Sequence, residues 1–204
     1  MCPISGYQQT GDEMSGSSTR AQIVEVADRL FYEQGYEHTS FADIASEVKI
    51  SRGNFYHHFK TKDAILSAVI EHRLAKTAQL LRQWEREGKT AEERIRRFID
   101  ILIMNMAKIK RFGCPVGTLC SELAKLDHAS QEDATRLFSL FREWLGGQFA
   151  ELGSPADADD LAMYLLARSQ GVATLASAFG DEAFIEQEVT AMHGWLRQQA
   201  ERAA

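Results

Sequence analysis

Residues 39–62 read TSFADIASEVKISRGNFYHHFKTK, and the spacing of their apolar side chains decides the fold. Phe41, Ile44, Ala45 and Val48 recur at i, i+3, i+4 and i+7, the stripe of a helix that buries one face. Ser40 stands before that stripe as a cap, with Asp43 three residues on, close to the capping-box pattern. Lys49 and Ile50 turn the chain. Ser51 then caps a second short helix reaching about Phe59, whose Phe55 and Phe59 are expected to point inward and whose Arg52, Gly53, Asn54 and His57 are expected to point outward.

The outward set is unusual for a solvated helix face. Between Ser51 and Thr61 there is no carboxylate, only Ser, Arg, Asn, Tyr, two His and Lys beside the apolar positions. Such side chains donate hydrogen bonds to phosphate oxygens and base edges. A small helix of this kind, braced by a preceding helix, is how a helix-turn-helix enters a major groove. The plainer alternative is a charged surface hairpin.

The string ADIASEVKISRGNFYHHFKTKDAIL resembles the DNA-binding domain of the TetR family of transcriptional regulators. The resemblance covers roughly residues 19–70, and its YHHF-x-x-K-x-x-[IL] end is the most specific part. It implies that Tyr56 and Lys62 hold phosphates while Arg52, Asn54 and His57 face bases. The whole expected DNA-binding set is Arg20, Thr39, Ser40, Ser51, Arg52, Gly53, Asn54, Tyr56, His57, Lys60 and Lys62. One residue departs from the family: Lys49 stands where the turn usually has Gly. If that position needs φ > 0, lysine there costs about 1 kcal/mol.

Composition sets the frame for this reading. The chain has 204 residues, 45% hydrophobic and 25% charged, enough for a substantial core. Its three prolines and long proline-free spans favour helices over sheet. A formal net charge of −6 argues against a nucleic-acid partner, but local distribution counts for more. From Lys49 to Lys62 the charged residues are Lys49, Arg52, Lys60 and Lys62, all cationic. Three cysteines without a CxxC pair, and no apolar run long enough for a bilayer, suggest a reduced, soluble, cytoplasmic protein with no membrane partner.

Working outward, residues 1–17 are polar and Gly/Ser-rich and are expected to be a disordered arm. Residues 18–61 form the expected helix-turn-helix domain, its first helix running from Thr19 to a stop at Gly35. Residues 62–84 form a connecting helix. Residues 85–204 form a larger helical domain for effector binding and dimerisation, so the fold class is all-α. Thr90 with Glu93 opens its first helix, and Ser154-Pro155 is taken as the start of a later one, with proline at the first helical position.

Aromatic and thiol positions in that second domain suggest a cavity between helices: Phe98, Leu102, Met106, Phe112, Cys114, Cys120, Phe138, Phe141, Tyr164 and Arg168. The apolar width of residues 130–152 and 155–178 suggests a four-helix dimer contact through Leu137, Phe141, Leu145, Leu161, Leu165, Val172 and Leu175. Cys114 and Cys120 are either an electrophile-sensing pair or inert buried thiols. Adjacent His57 and His58 diverge on a helix, and no metal-ligand spacing, phosphate loop or nucleophile motif occurs, so no metal, cofactor or catalytic residue is expected. The function expected is a dimeric, effector-released repressor on a palindromic double-stranded DNA operator. The alternative is an all-helical small-molecule or thiol sensor whose output is not DNA binding.

Overall fold

The computed structural model describes residues 19–203, and among these it is all helix and turn, with no strand. The expected arm, with Cys2, lies outside the described residues. Three short helices come first: α1 (Thr19–Gln34), α2 (Phe41–Val48) and α3 (Arg52–His58). α4 (Lys62–Glu87) follows, then α5 (Ala91–Met104), α6 (Met106–Phe112), α7 (Pro115–Lys125), α8 (Gln131–Leu152), α9 (Ala158–Phe179) and α10 (Glu182–Ala203).

The start signals work through side chains. Ser40 Oγ accepts the Asp43 N–H at 3.2 Å, and the Asp43 carboxylate accepts the Ser40 N–H at 2.8 Å, a complete capping box. The hydroxyls of Ser51, Thr61 and Thr90 accept the backbone N–H three residues on and so cap α3, α4 and α5, at 3.1–3.3 Å. Each such cap contributes about 1 kcal/mol. Lys49 sits at φ 59°, ψ 42°, so the turn between α2 and α3 does require the left-handed region, and lysine occupies it.

Two boundaries differ from the sequence reading. Pro155 does not open a helix: Ser154 to Asp157 form a turn closed by Asp157 N–H to Ser154 O, and α9 begins at Ala158. A break also appears at Asn105, between α5 and α6. Its side-chain amide donates to Ile101 O at 2.9 Å, and its backbone leaves helical geometry at φ −112°, ψ 13°. A short polar side chain that bonds the preceding turn competes with helix continuation.

Two apolar cores result, and α4 belongs to both. Its N-terminal half gives Ile65, Leu66, Val69 and Ile70 to the core under α1–α3, with Phe55 and Phe59. Leu119 and Leu123 of α7 and Ala134 of α8 join that same core. The far end of α4 gives Leu80, Leu81 and Trp84 to the core of the larger domain. At 26 residues the helix is about 39 Å long, enough to run from one core to the other.

Candidate nucleic-acid interface and effector cavity

The face expected to meet nucleic acid is open. Ser51, Arg52, Gly53, Asn54, Tyr56, His57 and Lys60 are all exposed, Tyr56 by 44%. Phe55, fully buried, anchors α3 from beneath, and its ring meets Phe41 of α2 edge-on at 5.2 Å. Replacing such an anchor by alanine costs about 3–5 kcal/mol. Tyr56 also packs against Phe41, at 5.4 Å, while remaining exposed. Lys60 donates to Tyr56 O at 2.5 Å. Arg20 lies over the Phe59 ring at 4.7 Å, which fixes the start of α1 against the end of α3.

Two members of the expected set are placed otherwise. Thr39 is buried, and its hydroxyl donates to Gly35 O at 2.7 Å, so it holds the α1–α2 loop and faces no surface. Lys62 turns back on the same loop. Its Nζ donates to Tyr36 O and Glu37 O, both at 3.1 Å, and lies 4.4 Å from the Tyr36 ring centroid. The backbone N–H groups of those two residues are claimed from the opposite side by Glu122 of α7, each at 2.9 Å. Gly35, at φ +91°, permits this approach: a Cβ there would lie 3.0 Å from a Glu122 oxygen.

Asp63, in the first turn of α4, completes the junction. It accepts the Tyr36 hydroxyl at 2.6 Å and lies 3.6 Å from His128 Nε2. The Tyr36 hydrogen bond, with His128 and Lys62 nearby, holds the Asp63 carboxyl below its ordinary range. Burial, and then Asp63, push the Tyr36 phenol well above its own. A second junction is buried. Arg73 of α4 donates from Nε to Asp28 Oδ1 of α1 at 2.5 Å and from Nη1 to Pro115 O at 2.8 Å.

An apolar cavity of about 80 Å³ lies between α5, α6, α7, α8 and α9. Five of the expected residues line it: Phe98, Leu102, Cys114, Phe138 and Phe141. Phe112 and Cys120 line a neighbouring cleft that shares Cys114 and Phe138. Met106 packs against the core beside the cavity. Tyr164 and Arg168 point elsewhere. The Tyr164 ring lies against Trp195 at 4.8 Å, and Arg168 donates to Glu188 at 2.9 Å, both partners being on α10. Gln170, a polar position that also suits such a cavity by its sequence, lines it too, whereas Tyr32, Asn105, Lys108, Val116, Ser169 and Ala173 are among the lining residues that the sequence reading missed. Tyr32 comes from α1, one turn beyond Asp28 on a polar line beside the apolar stripe; that line was the available signal.

Both thiols are unpaired with each other. Cys114 is the N-cap of α7, its Sγ 3.5 Å from the Gly117 N–H. Burial, with Cys114 adding to it, pushes the Cys120 thiol up to about 11. No group of three or more metal-ligating side chains converges among the described residues.

The expected dimer contact needs revision. Leu137, Phe141, Leu145, Leu165 and Val172 are buried within the single chain, and Leu161 is half-buried, because α8 and α9 use these faces to pack on their own domain. Leu175, 44% exposed, does lie on the surface. Met163, Ala167, Gly171, Leu175 and Phe179 are all exposed at four-residue spacing along α9.

Comparison with known proteins agrees with this architecture. Residues 23–69 match the model for bacterial regulatory proteins of the tetR family. A TetR transcriptional regulator from Legionella pneumophila superposes with a TM-score of 0.78 at 30% identity, covering 91% of this chain and 98% of that one. An uncharacterized HTH-type transcriptional regulator of Lactococcus lactis subsp. lactis is 30% identical over 124 residues, 60% of this chain and 63% of the relative's length. The HTH-type transcriptional repressor DhaR of Mycobacterium sp. (strain GP1) is 23% identical, covering 78% of this chain and 82% of its own. These relatives are regulators, not enzymes. The chain belongs to the TetR family of DNA-binding transcriptional regulators.

Proposed function

We propose that the protein is a homodimeric repressor that holds a palindromic operator through α3 and releases it when a small apolar or aromatic effector enters the cavity. The observation that carries this reading is that one helix, α4, starts beside the exposed α3 face and ends in the core that surrounds the cavity. Spreading of α5–α9 therefore tilts α4 and changes the distance between two recognition helices. A palindrome presents its half-sites about 34–36 Å apart, so a small tilt is enough to lose one of them. The repressor relative DhaR supports the direction of control.

At about 80 Å³ the cavity admits a compact group only, and a drug-sized effector has to part the helices to enter. Its lining is mostly apolar and holds no carboxylate, which favours neutral effectors over cationic ones. For the dimer, the exposed α9 stripe replaces the buried leucines as the contact. Gly146, Gly147 and Gly171 have open space where a Cβ would stand, so the backbone of a second copy can approach closely there.

The test combines a mobility-shift assay on duplexes from the neighbourhood of the protein's own gene with sedimentation at micromolar concentration. Retardation of a specific duplex by a dimer supports the proposal. A monomer, or no preference over random duplex, refutes it.

A further inference from the structure

Helical levers apart, one side chain joins the reader to the cavity directly. Tyr32 belongs to α1, whose Ile23, Val24, Ala27 and Phe31 build the core under α3, yet its own ring forms part of the cavity wall. The Tyr32 hydroxyl donates to Gly113 O at 2.8 Å, and its ring meets Phe112 edge-on at 5.4 Å. Gly113 stands at the α6–α7 junction with φ +77°, where a Cβ would press on Thr118 at 3.0 Å. Two residues on, Pro115 O accepts from Arg73, which is itself paired with Asp28 one turn before Tyr32. The carbonyls at Gly113 and Pro115 thus tie α1 down on either side of Cys114. Cys114, Pro115 and Val116 face the cavity.

We propose that the Tyr32–Gly113 bond is a latch: an effector seated in the cavity breaks it and frees α1 from the α6–α7 junction, which releases DNA. This rests on the effector cavity proposed above and adds a route that does not pass through α4. A shift of the Tyr32 ring away from the α6–α7 junction lengthens the 2.8 Å bond from its hydroxyl to the Gly113 carbonyl. From Tyr32 to Arg20 is about 18 Å of helix, and Arg20 sits on Phe59 at the end of α3, so a shift of α1 arrives at the recognition helix as a rigid displacement. The Arg73 pair holds the other carbonyl and becomes the pivot. Tyr32 is a positioning residue in this scheme: it acts on DNA only through α1.

A cycle of variants tests the latch without knowledge of the effector. Tyr32→Phe keeps the ring and its contact with Phe112 but removes the donor. Val116→Trp fills the cavity and stands in for an occupant. Affinity for a duplex selected from a random library is measured for both, for the double variant and for the parent, with thermal midpoints recorded alongside. The expected result is that each single variant weakens selective binding by about fivefold or more, and that the double variant is no weaker than Val116→Trp alone. Full additivity, or a Tyr32→Phe protein that binds like the parent, overturns the latch while leaving the cavity reading intact. A Val116→Trp protein that binds like the parent overturns the cavity as control point, and the latch with it. Losses of affinity that merely follow losses of thermal midpoint assign Tyr32 to stability and also overturn the proposal.

Discussion

The carboxylate of Glu122, on α7, accepts the backbone N–H of Tyr36, in the loop between α1 and α2, at 2.9 Å. It accepts the Glu37 N–H as well, while Lys62 takes the carbonyls of the same two residues from the other side. A loop of the reader is therefore saturated by one acid from the effector domain and one base from α4. Glu122→Ala is expected to cost about 1–3 kcal/mol of stability, because it strands two amide donors at a part-buried site. Lys62→Ala should lower stability too, while leaving the salt dependence of DNA binding unchanged, since its ammonium is engaged by the loop. Chemical denaturation and a salt titration of duplex affinity check the two. A clear drop in salt slope for Lys62→Ala returns that lysine to the phosphates.

The Arg73–Asp28 pair is a different case, because both partners are buried. Removing one leaves a stranded charge, so Arg73→Met or Asp28→Leu alone should cost about 3–5 kcal/mol. The Arg73→Met/Asp28→Leu double variant should be less destabilised than the sum of the two. Urea midpoints of the four proteins measure the coupling. Simple addition would mean that the pair does not act as a unit.

Lys49 is strained by its place in the turn. Lys49→Gly should stabilise the protein by up to about 1 kcal/mol, since glycine adopts φ 59° without a Cβ penalty. A raised thermal midpoint is the expected reading; a fall would show that the lysine side chain contributes more than its backbone costs.

Cys120 should be a poor nucleophile at neutral pH. With its thiol pushed up to about 11, chiefly by burial, it stays protonated until strongly alkaline solution. In a Cys2→Ser/Cys114→Ser background, iodoacetamide should label Cys120 slowly at neutral pH, with a rate that climbs as pH rises toward that value. Fast labelling at neutral pH would revive it as a sensor.

The helices were legible because their signals are local. Ser40 with Asp43, Ser51 and Thr61 act within four residues of themselves, and the turn at Lys49 follows from the same short-range rules. The α3 surface was legible as well, since absence of carboxylates is a property of the string. What escaped was the set of contacts made at long sequence separation. Nothing near Lys62 announces that carbonyls twenty-five residues earlier will claim its ammonium. Nothing near Tyr32 announces a partner at Gly113. The dimer stripe failed for a related reason: apolar width reveals that α8 and α9 bury much, but whether a leucine is buried by its own domain or by a second copy depends on helix rotation. Leu165 and Leu175 look alike in the sequence, yet Leu165 is fully buried and Leu175 is 44% exposed.

The central claim is that α3 reads bases. Its most direct measurement is the affinity of Arg52→Ala for a selected duplex and for a random one, compared with the parent protein. Loss of a base contact should cost about 1–3 kcal/mol on the selected duplex, roughly fivefold to 150-fold, and leave the random duplex nearly unaffected. Equal losses on both duplexes, or none on either, would contradict it.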